Sequence, residues 1–287
     1  MFDREEGCQT VLPQPGKNTM TKPPRSIKPP IVIAAFGTTS HARKTYDHID
    51  LRFQKRFPDH ELYWAFSSRM VKDHVRKHSR IEIHSPREVL DMLYSKGHSW
   101  AVIQSLHVIA GHEFYRLVTE MAQLPIRTSI GLPLLCSYQD YWATSRAMKL
   151  NFYPGSDEEA VVLVGHGTDH PAWSAYLAFE SILRQQYGAK IFVGLVDGEP
   201  FQGHVVDSVI RSGAKKVSLI PFTLVTGRHF QEDITGGPNS WQSVLENAGM
   251  TVKVETQGIG YRDQIVEIFA DHIRDALSVI PESSEPV

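Results

Sequence analysis

The sequence is poor in cysteine and has no long apolar run. Among its 287 residues only Cys8 and Cys136 are cysteines, which is too few for a disulfide framework. Residues 1–30 lack the apolar core of a secretory signal, and no later stretch approaches the roughly 20 apolar residues that cross a bilayer. These absences predict a cytoplasmic protein without membrane contact, in which residues 1–30 form a disordered leader and Met20 is an alternative start.

Neither sign of charge dominates, since the formal net charge is −2. The chain therefore has no overall basic field that would hold nucleic acid through its phosphates. It also lacks the G-x-x-x-x-G-K-[ST] phosphate loop, the G-x-S-x-G elbow of α/β-hydrolases and a C-x-x-C pair. We expect no nucleic acid partner and no nucleotide cofactor.

Short β-branched runs alternate with longer amphipathic runs from Ile31 onward, a pattern typical of βαβ units that build a parallel sheet. The fold class is therefore α/β. Strands are predicted at 31–36, 61–66, 100–106, 161–164, 191–196, 217–222 and 251–255. Helices are predicted at 44–57, 86–96, 113–121, 172–186, 203–212, 240–248 and 263–277.

The chain also resembles itself. IVIAAFGT at 31–38 is similar to VVLVGHGT at 161–168, which lies 130 residues later, and AGHEF at 110–114 is similar to TGRHF at 226–230. The repeat predicts two similar domains, each with a parallel sheet flanked by helices, over 31–136 and 137–261. Ligands of open parallel sheets bind beyond the carboxyl ends of the strands, so we expect the active site in the cleft between the domains.

Three potential metal ligands occupy corresponding places in successive βα units of the second half. These residues are His166, Asp197 and His229, spaced by 31 and 32 residues. Two imidazoles and a carboxylate suit a divalent ion such as cobalt, nickel, iron or zinc. Each residue also has a plainer interpretation: the histidines as loop residues and Asp197 as the cap of a helix that begins near Gln202. Glu199 would share the face of Asp197 if the chain stays extended.

The first half supplies the expected facing wall of the cleft. Phe36 stands where the second half has His166, and Glu113 stands where it has His229. The plainer interpretations are a core side chain for Phe36, a tight turn for Gly37 and a solvated helix start for Arg69. The candidate substrate contacts in this half are Phe36, Gly37, Thr38, Ser68, Arg69, His107, His112 and Glu113.

Several sequence blocks together resemble a known family. They are AFGTTSHARKTYDHID at 35–50, AFSSRM at 65–70, QSLHVIAGHEF at 104–114, VGHGTDHP at 164–171 and SLIPFTLVTGRHFQEDITG at 218–236. In this order the blocks are similar to the anaerobic cobalt chelatases of the class II, ferrochelatase-like group, which metallate sirohydrochlorin. The resemblance runs from about Ile31 to Ile280.

The resemblance implies two flavodoxin-like domains, with a C-terminal helix over 262–280 that returns to the first. It also implies a metal held by His, Glu and His, which fall on His166, Asp197 and His229. The chain departs from the family where VDGEP replaces the usual VEGYP, which leaves Glu199 as an alternative ligand. Arg228 is a second departure, because the family often has an acid there, and a cation at this position would meet a substrate carboxylate.

The implied activity is ATP-independent insertion of Co2+ into sirohydrochlorin, or its precursor precorrin-2, in anaerobic cobalamin biosynthesis. Imidazole accepts protons at neutral pH, so His166 is the candidate for both ligand and base. Fe2+ and Ni2+ stay open as substrate metals. Three alternatives also stay open: a sirohydrochlorin ferrochelatase that serves sirohaem synthesis, a metal or tetrapyrrole carrier without turnover, and a metal-dependent hydrolase. Family members tend to associate, so a homo-oligomer is expected.

Overall fold

The computed structural model describes residues 28–37, 43–68, 83–150, 158–227 and 230–281. Within these ranges residues 31–131 carry one four-stranded sheet and residues 159–254 carry a second. Every strand pair in both sheets is parallel. The predicted α/β class with two similar domains is confirmed.

The first sheet alternates strands with helices along the chain. Its elements are β1 (Ile31–Ala35), α1 (Arg43–Arg56), β2 (Leu62–Phe66), α2 (Pro86–Ser95), β3 (Trp100–Ser105), α3 (His112–Met121), β4 (Arg127–Gly131) and α4 (Tyr138–Met148). The strand order is β2-β1-β3-β4. Strand β1 is thus internal, with Ile33 opposite Trp64 on one side and Gln104 on the other.

The second sheet repeats this arrangement. Its elements are β5 (Glu159–Gly167), a 3-10 turn (Pro171–Trp173), α5 (Ser174–Tyr187), β6 (Ile191–Asp197), α6 (Gln202–Arg211), β7 (Lys216–Pro221), a π-helix (Phe230–Thr235), α7 (Trp241–Asn247), β8 (Thr251–Val254), a 3-10 turn (Ile259–Tyr261) and α8 (Asp263–Ser278). The order β6-β5-β7-β8 matches the order of the first sheet. Strands β1 and β5 therefore hold equivalent positions.

Local signals explain why the predicted elements form where they do. Helix α2 begins after Ser85, whose side chain accepts the Glu88 amide while Glu88 accepts the Ser85 amide. This reciprocal cap and Pro86 in the first turn fix the start of the helix. Val89, Leu90 and Leu93 of α2 are buried on one side, which is the spacing from which the helix was predicted.

Strand β4 and helix α4 were missed by the sequence prediction. Strand β4 reads RTSIG, so Ile130 is the only large apolar residue in it. Helix α4 buries Asp140, Thr144 and Ser145 on its inner side. Because these buried positions are polar, neither element shows the apolar periodicity on which the prediction relied.

The apolar core continues from one sheet to the other. One buried cluster includes Ile33 and Phe53 of the first half, Phe179 and Val193 of the second, and Phe269 of α8. The rings of Phe179 and Phe222 stack with centroids 4.8 Å apart. This shared core holds the two sheets beside each other, so the carboxyl ends of their strands can contribute to one site.

The last helix belongs with the first sheet, since α8 packs against β3 and β4. His272 of α8 lies 2.9 Å from the Leu132 carbonyl oxygen and 3.0 Å from an Asp140 carboxylate oxygen. Just before β1, the Pro30 carbonyl accepts a hydrogen bond from the Val102 amide.

The limits of the leader and of the two domains stay predictions. No helix in the described ranges is long and apolar enough to cross a membrane.

Candidate active site

His166 and Asp197 lie at the carboxyl ends of neighbouring strands. His166 is the penultimate residue of β5 and Asp197 is the last residue of β6. The register pairs Gly167 with Asp197, so the two candidate ligands are almost level across the sheet. Both residues are exposed. The structure therefore brings together two of the three candidate metal ligands at one edge.

Glycine is required on both sides of His166. Gly167 has φ of 89°, a conformation that residues with a Cβ rarely adopt. A Cβ at Gly167 would lie 1.7 Å from the Asp197 carbonyl oxygen, and one at Gly165 would lie 2.6 Å from Cε1 of Tyr176. The turn that carries His166 is thus packed directly against the strand end that carries Asp197.

Asp197 does not cap the following helix. The N-cap of α6 is Phe201, which makes no side-chain capping bond. The Phe201 amide donates to the Glu199 carboxylate at 3.1 Å. Glu199 also lies 3.5 Å from Nδ1 of His204, and Gly198, with φ of 95°, breaks the extended chain before it. The carboxylate of Glu199 is thus engaged next to α6, whereas no capping role accounts for Asp197.

His229 and Arg228 lie outside the described residues. Strand β7 ends at Pro221, and the π-helix begins at Phe230, immediately after His229. Single turns of π-helix are rare and occur frequently at functional sites. Among the residues that the structure describes, no group of three or more His, Cys, Asp or Glu side chains could hold a metal ion. The three-ligand site therefore stays a prediction.

The expected facing wall starts at the end of β1. Phe36 is 46% exposed, so the alternative that it is a core side chain is not supported. Its carbonyl accepts the amide of the buried Ser68 at 3.1 Å. Gly37 follows with φ of 104°, as a tight turn requires. Thr38 and Arg69, the other candidates of this segment, lie outside the described residues.

Glu113 is held beside the carboxyl end of β1 by Ser67, a residue that was not among the candidates from the sequence. The Ser67 hydroxyl donates to a Glu113 carboxylate oxygen at 3.1 Å. Arg116 donates to the same oxygen at 2.5 Å and to the Ser67 carbonyl at 3.3 Å. The Ser67 amide in turn donates to the Ala35 carbonyl. Ser67 and Arg116 thus hold Glu113 at the end of β1.

His107 follows β3 and is partly buried. Its Nδ1 is 2.7 Å from the Ser105 hydroxyl oxygen, and its buried Nε2 has no hydrogen-bond partner within the described ranges. Burial, with a smaller effect of the Arg116 charge, lowers the pKa of His107 to about 4. The imidazole is therefore neutral at physiological pH.

A contact between the two halves lies next to these residues. Nε2 of His112, in the first turn of α3, is 2.9 Å from a carboxylate oxygen of Asp169. The His170 ring lies edge-on to the His112 ring with centroids 5.0 Å apart. The centroids of the Tyr115 and His170 rings are 5.2 Å apart. The sequence analysis missed Asp169, His170 and Tyr115 as site residues. Asp169 and His170 stand three and four residues after His166 within the block VGHGTDHP, which was the available signal, whereas Tyr115 lies just beyond the block that ends at Phe114.

Solved structures share this fold at low sequence identity. The sirohydrochlorin chelatase SirB from Bacillus subtilis subspecies spizizenii, in complex with cobalt, aligns with a TM-score of 0.60 at 14% identity and covers 88% of this chain and 96% of that one. CbiX, described as the terminal enzyme of siroheme biosynthesis in denitrifying bacteria, aligns with a TM-score of 0.54 at 15% identity and covers 86% and 99%. The fold of this chain is thus the two-domain α/β fold that these two solved structures share.

Sequence comparison narrows the class to a family. The model of the family described as cobalt chelatase (CbiK) matches residues 29–278. The sirohydrochlorin cobaltochelatase of Salmonella typhimurium is 30% identical over 265 residues, covering 90% of this chain and all of that protein. The sirohydrochlorin cobaltochelatase CbiKC of Nitratidesulfovibrio vulgaris is 30% identical over 283 residues, covering 95% and 100%. The chain belongs to the cobalt chelatase family.

Proposed function

We propose that this protein inserts Co2+ into sirohydrochlorin, without a nucleotide, in anaerobic cobalamin biosynthesis. Family membership supports the reaction and the pair of substrates. The observation that carries the proposal for the site is the pairing of β5 with β6, which sets two exposed potential ligands, His166 and Asp197, within one residue of register at one sheet edge. His229 completes the proposed set.

The chemistry requires a proton acceptor as well as a metal holder. Inserting one Co2+ into the macrocycle displaces two pyrrolic N–H protons, so two H+ leave for each metal that enters. A neutral imidazole has one ring nitrogen with a free lone pair, which can ligate a metal or accept a proton. We assign both roles to His166, which passes each accepted proton to solvent before it accepts the next, with Asp197 and His229 retaining the ion until the ring nitrogens replace them.

The facing wall would hold the flat, carboxylate-rich substrate. Phe36 offers an exposed ring at the end of β1, and aromatic faces pack well on flat rings. We include Gly37, Thr38, Ser68, Arg69, His107, Glu113 and Arg228 among the proposed substrate contacts. The arginines Arg69 and Arg228 suit the substrate carboxylates because a guanidinium binds a carboxylate through two parallel hydrogen bonds.

Turnover under anaerobic conditions tests the proposed function. A catalytic amount of protein is mixed with excess sirohydrochlorin and Co2+, without nucleotide, and the ultraviolet-visible spectrum is followed. Many turnovers per protein are expected, and His166→Ala should lose them. Metallation that stops at one equivalent of protein would instead indicate a carrier. Faster initial rates with Fe2+ or Ni2+ than with Co2+ would overturn the choice of metal.

We further propose that the protein works as a homo-oligomer, as the resemblance to the family implied. Sedimentation velocity of the purified full chain at micromolar concentration measures the mass directly. A species at twice the chain mass of 32.4 kDa or more supports the proposal. A single species at the mass of one chain contradicts it, and the insertion chemistry does not depend on the outcome.

A further inference from the structure

The loop that follows β4 carries an exposed apolar side chain. Leu132 comes directly after Gly131, the last residue of β4, and is 43% exposed. Because the first sheet is parallel, Leu132 lies at the same carboxyl edge as Phe36 after β1 and His107 after β3. A single exposed leucine is common on protein surfaces, so what distinguishes Leu132 is how firmly the fold holds it.

Two buried side chains bind the carbonyl of Leu132. Nε2 of Gln104 donates to the carbonyl oxygen at 3.0 Å, and Nδ1 of His272 lies 2.9 Å from the same oxygen. A carbonyl oxygen only accepts, so both side chains act as donors. Gln104 is 0% exposed in β3, and His272 is 7% exposed in α8. Two elements far apart in the chain thus fix one exposed residue.

Gln104 reaches this carbonyl by crossing over Gly131. The register pairs Gln104 with Gly131, and a Cβ at Gly131 would lie 1.9 Å from Oε1 of Gln104. The Gln104 amide nitrogen also donates to the Ser105 carbonyl at 2.8 Å, while its buried Oε1 has no partner within the described ranges. A buried acceptor without a partner is unfavourable. The contribution of Gln104 therefore comes from the donors of its amide group.

The same loop is bound to the loop that carries His107. The Leu134 amide donates to the His107 carbonyl at 2.9 Å, and the Leu135 amide donates to the Val108 carbonyl at 2.9 Å. Both leucines are buried. Within residues 131–135, Leu132 is the only exposed residue. The loop after β4 is thus fixed along its length and presents one apolar side chain to solvent.

The separation of Phe36 from Leu132 suits a flat macrocycle. The strand order places β3 between β1 and β4. Neighbouring strands are about 4.8 Å apart, so residues that follow β1 and β4 are about 10 Å apart across the sheet. A tetrapyrrole macrocycle has a similar width, and its central part is apolar. A leucine held in place at this distance can bury apolar surface against the ring.

We propose that Leu132 contacts the face of sirohydrochlorin, extending the substrate wall from Phe36 across the sheet to β4, and that Gln104 is the positioning residue that holds Leu132. The assignment rests on the proposed function, in which the first half holds the tetrapyrrole. Leu132 and Gln104 belong to the first sheet, whereas His166 and Asp197 belong to the second. Substitution of Leu132 or Gln104 should therefore weaken tetrapyrrole binding and leave cobalt binding unchanged.

Titration of metal-free sirohydrochlorin with the full chain, followed by its absorption spectrum, tests the contact without requiring turnover. Leu132→Ala should raise the Kd for sirohydrochlorin about three- to tenfold, through loss of apolar contact. Leu51→Ala is the matched control, because Leu51 is 59% exposed in the half of α1 away from the strand ends, and it should leave the Kd unchanged. The visible spectrum of Co2+ bound without tetrapyrrole should be that of the wild type in both variants.

Gln104→Met tests the positioning role, because methionine has a similar length but donates no hydrogen bond. It should raise the Kd for sirohydrochlorin about two- to fivefold. It should add nothing in the Leu132→Ala background, since Gln104 acts through Leu132. Gln104→Asn, whose amide is one methylene shorter, is the second variant and should behave in the same way. Full additivity with Leu132→Ala overturns the positioning role.

The outcomes separate this inference from the proposed function. A wild-type Kd in Leu132→Ala, or an equal increase in Leu51→Ala, overturns the contact. A wild-type protein that binds sirohydrochlorin but inserts no Co2+ would refute the proposed function and leave this comparison intact. A wild-type protein that does not bind sirohydrochlorin overturns both.

Discussion

Nε2 of His112 and a carboxylate oxygen of Asp169 lie 2.9 Å apart, joining the first turn of α3 to the turn that follows β5. The two side chains are 64% and 92% exposed. An ion pair this exposed contributes little to stability, on the order of 0–1 kcal/mol. Its position is more informative than its strength, because Asp169 is three residues from His166 and His112 adjoins Glu113.

The contact predicts an effect on catalysis without an effect on stability. Asp169→Asn and His112→Ala should each change the melting temperature by no more than about 2 °C. Each should lower kcat/KM for sirohydrochlorin by about fivefold, because a hydrogen bond that aligns the two halves is worth about 1 kcal/mol. In the double variant the losses should not add. Full additivity would show that the two side chains act independently.

Substitution of the two carboxylates of the VDGEP segment, Asp197 and Glu199, should have very different effects on the rate of cobalt insertion. Asp197→Ala should lower the rate of cobalt insertion by at least about a hundredfold, as loss of a direct ligand exceeds the usual effect of losing a supporting contact. Glu199→Gln should stay within about twofold of the wild type, because its present partner, the Phe201 amide, can still donate to the amide oxygen. Initial rates at saturating sirohydrochlorin measure both. The reverse order of effects would identify Glu199 as the ligand.

Gly167 and Gly97 provide a matched pair for testing the packing of the turn that carries His166. Both have φ of 89°, but nothing lies within 4 Å of a Cβ placed at Gly97, whereas one at Gly167 would overlap the Asp197 carbonyl. Gly97→Ala should lower the free energy of unfolding by about 1 kcal/mol through backbone strain. Gly167→Ala should lose about 2 kcal/mol more, from overpacking, together with insertion activity. Chemical denaturation measures the difference, and equal losses would contradict the close contact.

Much of the fold was readable from sequence because its strands are apolar on both faces. The residues of β1 are at most 1% exposed, so β1 appears in the sequence as a short apolar run. The equivalence of Gly37 and Gly167 then predicted the duplication. Strand β4 was not predicted because its side chains are mostly polar, and α4 was not predicted because Asp140, Thr144 and Ser145 are among its buried residues and interrupt the apolar pattern.

The site was predictable in part, for a physical reason. Parallel strands bring their carboxyl ends to one edge, so residues spaced by one βαβ step can be placed together without knowing the loops. His166 and Asp197 follow this rule. The contacts of Asp169 and of Tyr176 were not predictable, because they depend on how the two halves pack and on where a helix side chain reaches a turn.

The pair formed by His272 and Asp140 predicts a pH dependence of stability. Both ring nitrogens of His272 face acceptors, the Leu132 carbonyl and the Asp140 carboxylate, so only the charged imidazole can donate to both. Burial alone would lower the pKa of His272, but the hydrogen bond and charge of Asp140 raise it overall. Burial would raise the pKa of Asp140, yet its bonds to His272 and Ser137 lower it overall.

The signs of the two pKa shifts set the pH range in which the pair of His272 and Asp140 stabilises the fold. A raised histidine pKa gives stability that is complete below the unfolded value, about 6.5, and is lost as pH rises through the folded value. A lowered carboxylate pKa gives stability that is complete above about 4 and is lost in acid. The difference in unfolding free energy between the wild type and Asp140→Asn should therefore be about 1–2 kcal/mol near pH 6, and it should shrink towards pH 9.

A surface pair is the control for this pH series. Asp59 binds Lys28 at an exposed position, and Asp59→Asn should leave the free energy of unfolding almost unchanged, at pH 6 and at pH 9 alike. His107 is present in every variant, so its own titration cancels from the comparison. A difference for Asp140→Asn that stays constant or grows from pH 6 to pH 9 would contradict the charged pair.

The central claim is that His166, Asp197 and His229 hold one cobalt ion. X-ray absorption at the cobalt edge, on the protein loaded with one equivalent of Co2+, counts imidazole ligands directly. The account predicts two imidazoles in the wild type, one each in His166→Ala and His229→Ala, and two in Asp197→Ala. A wild-type spectrum without imidazole scattering, or one that is unchanged in His166→Ala, would contradict it.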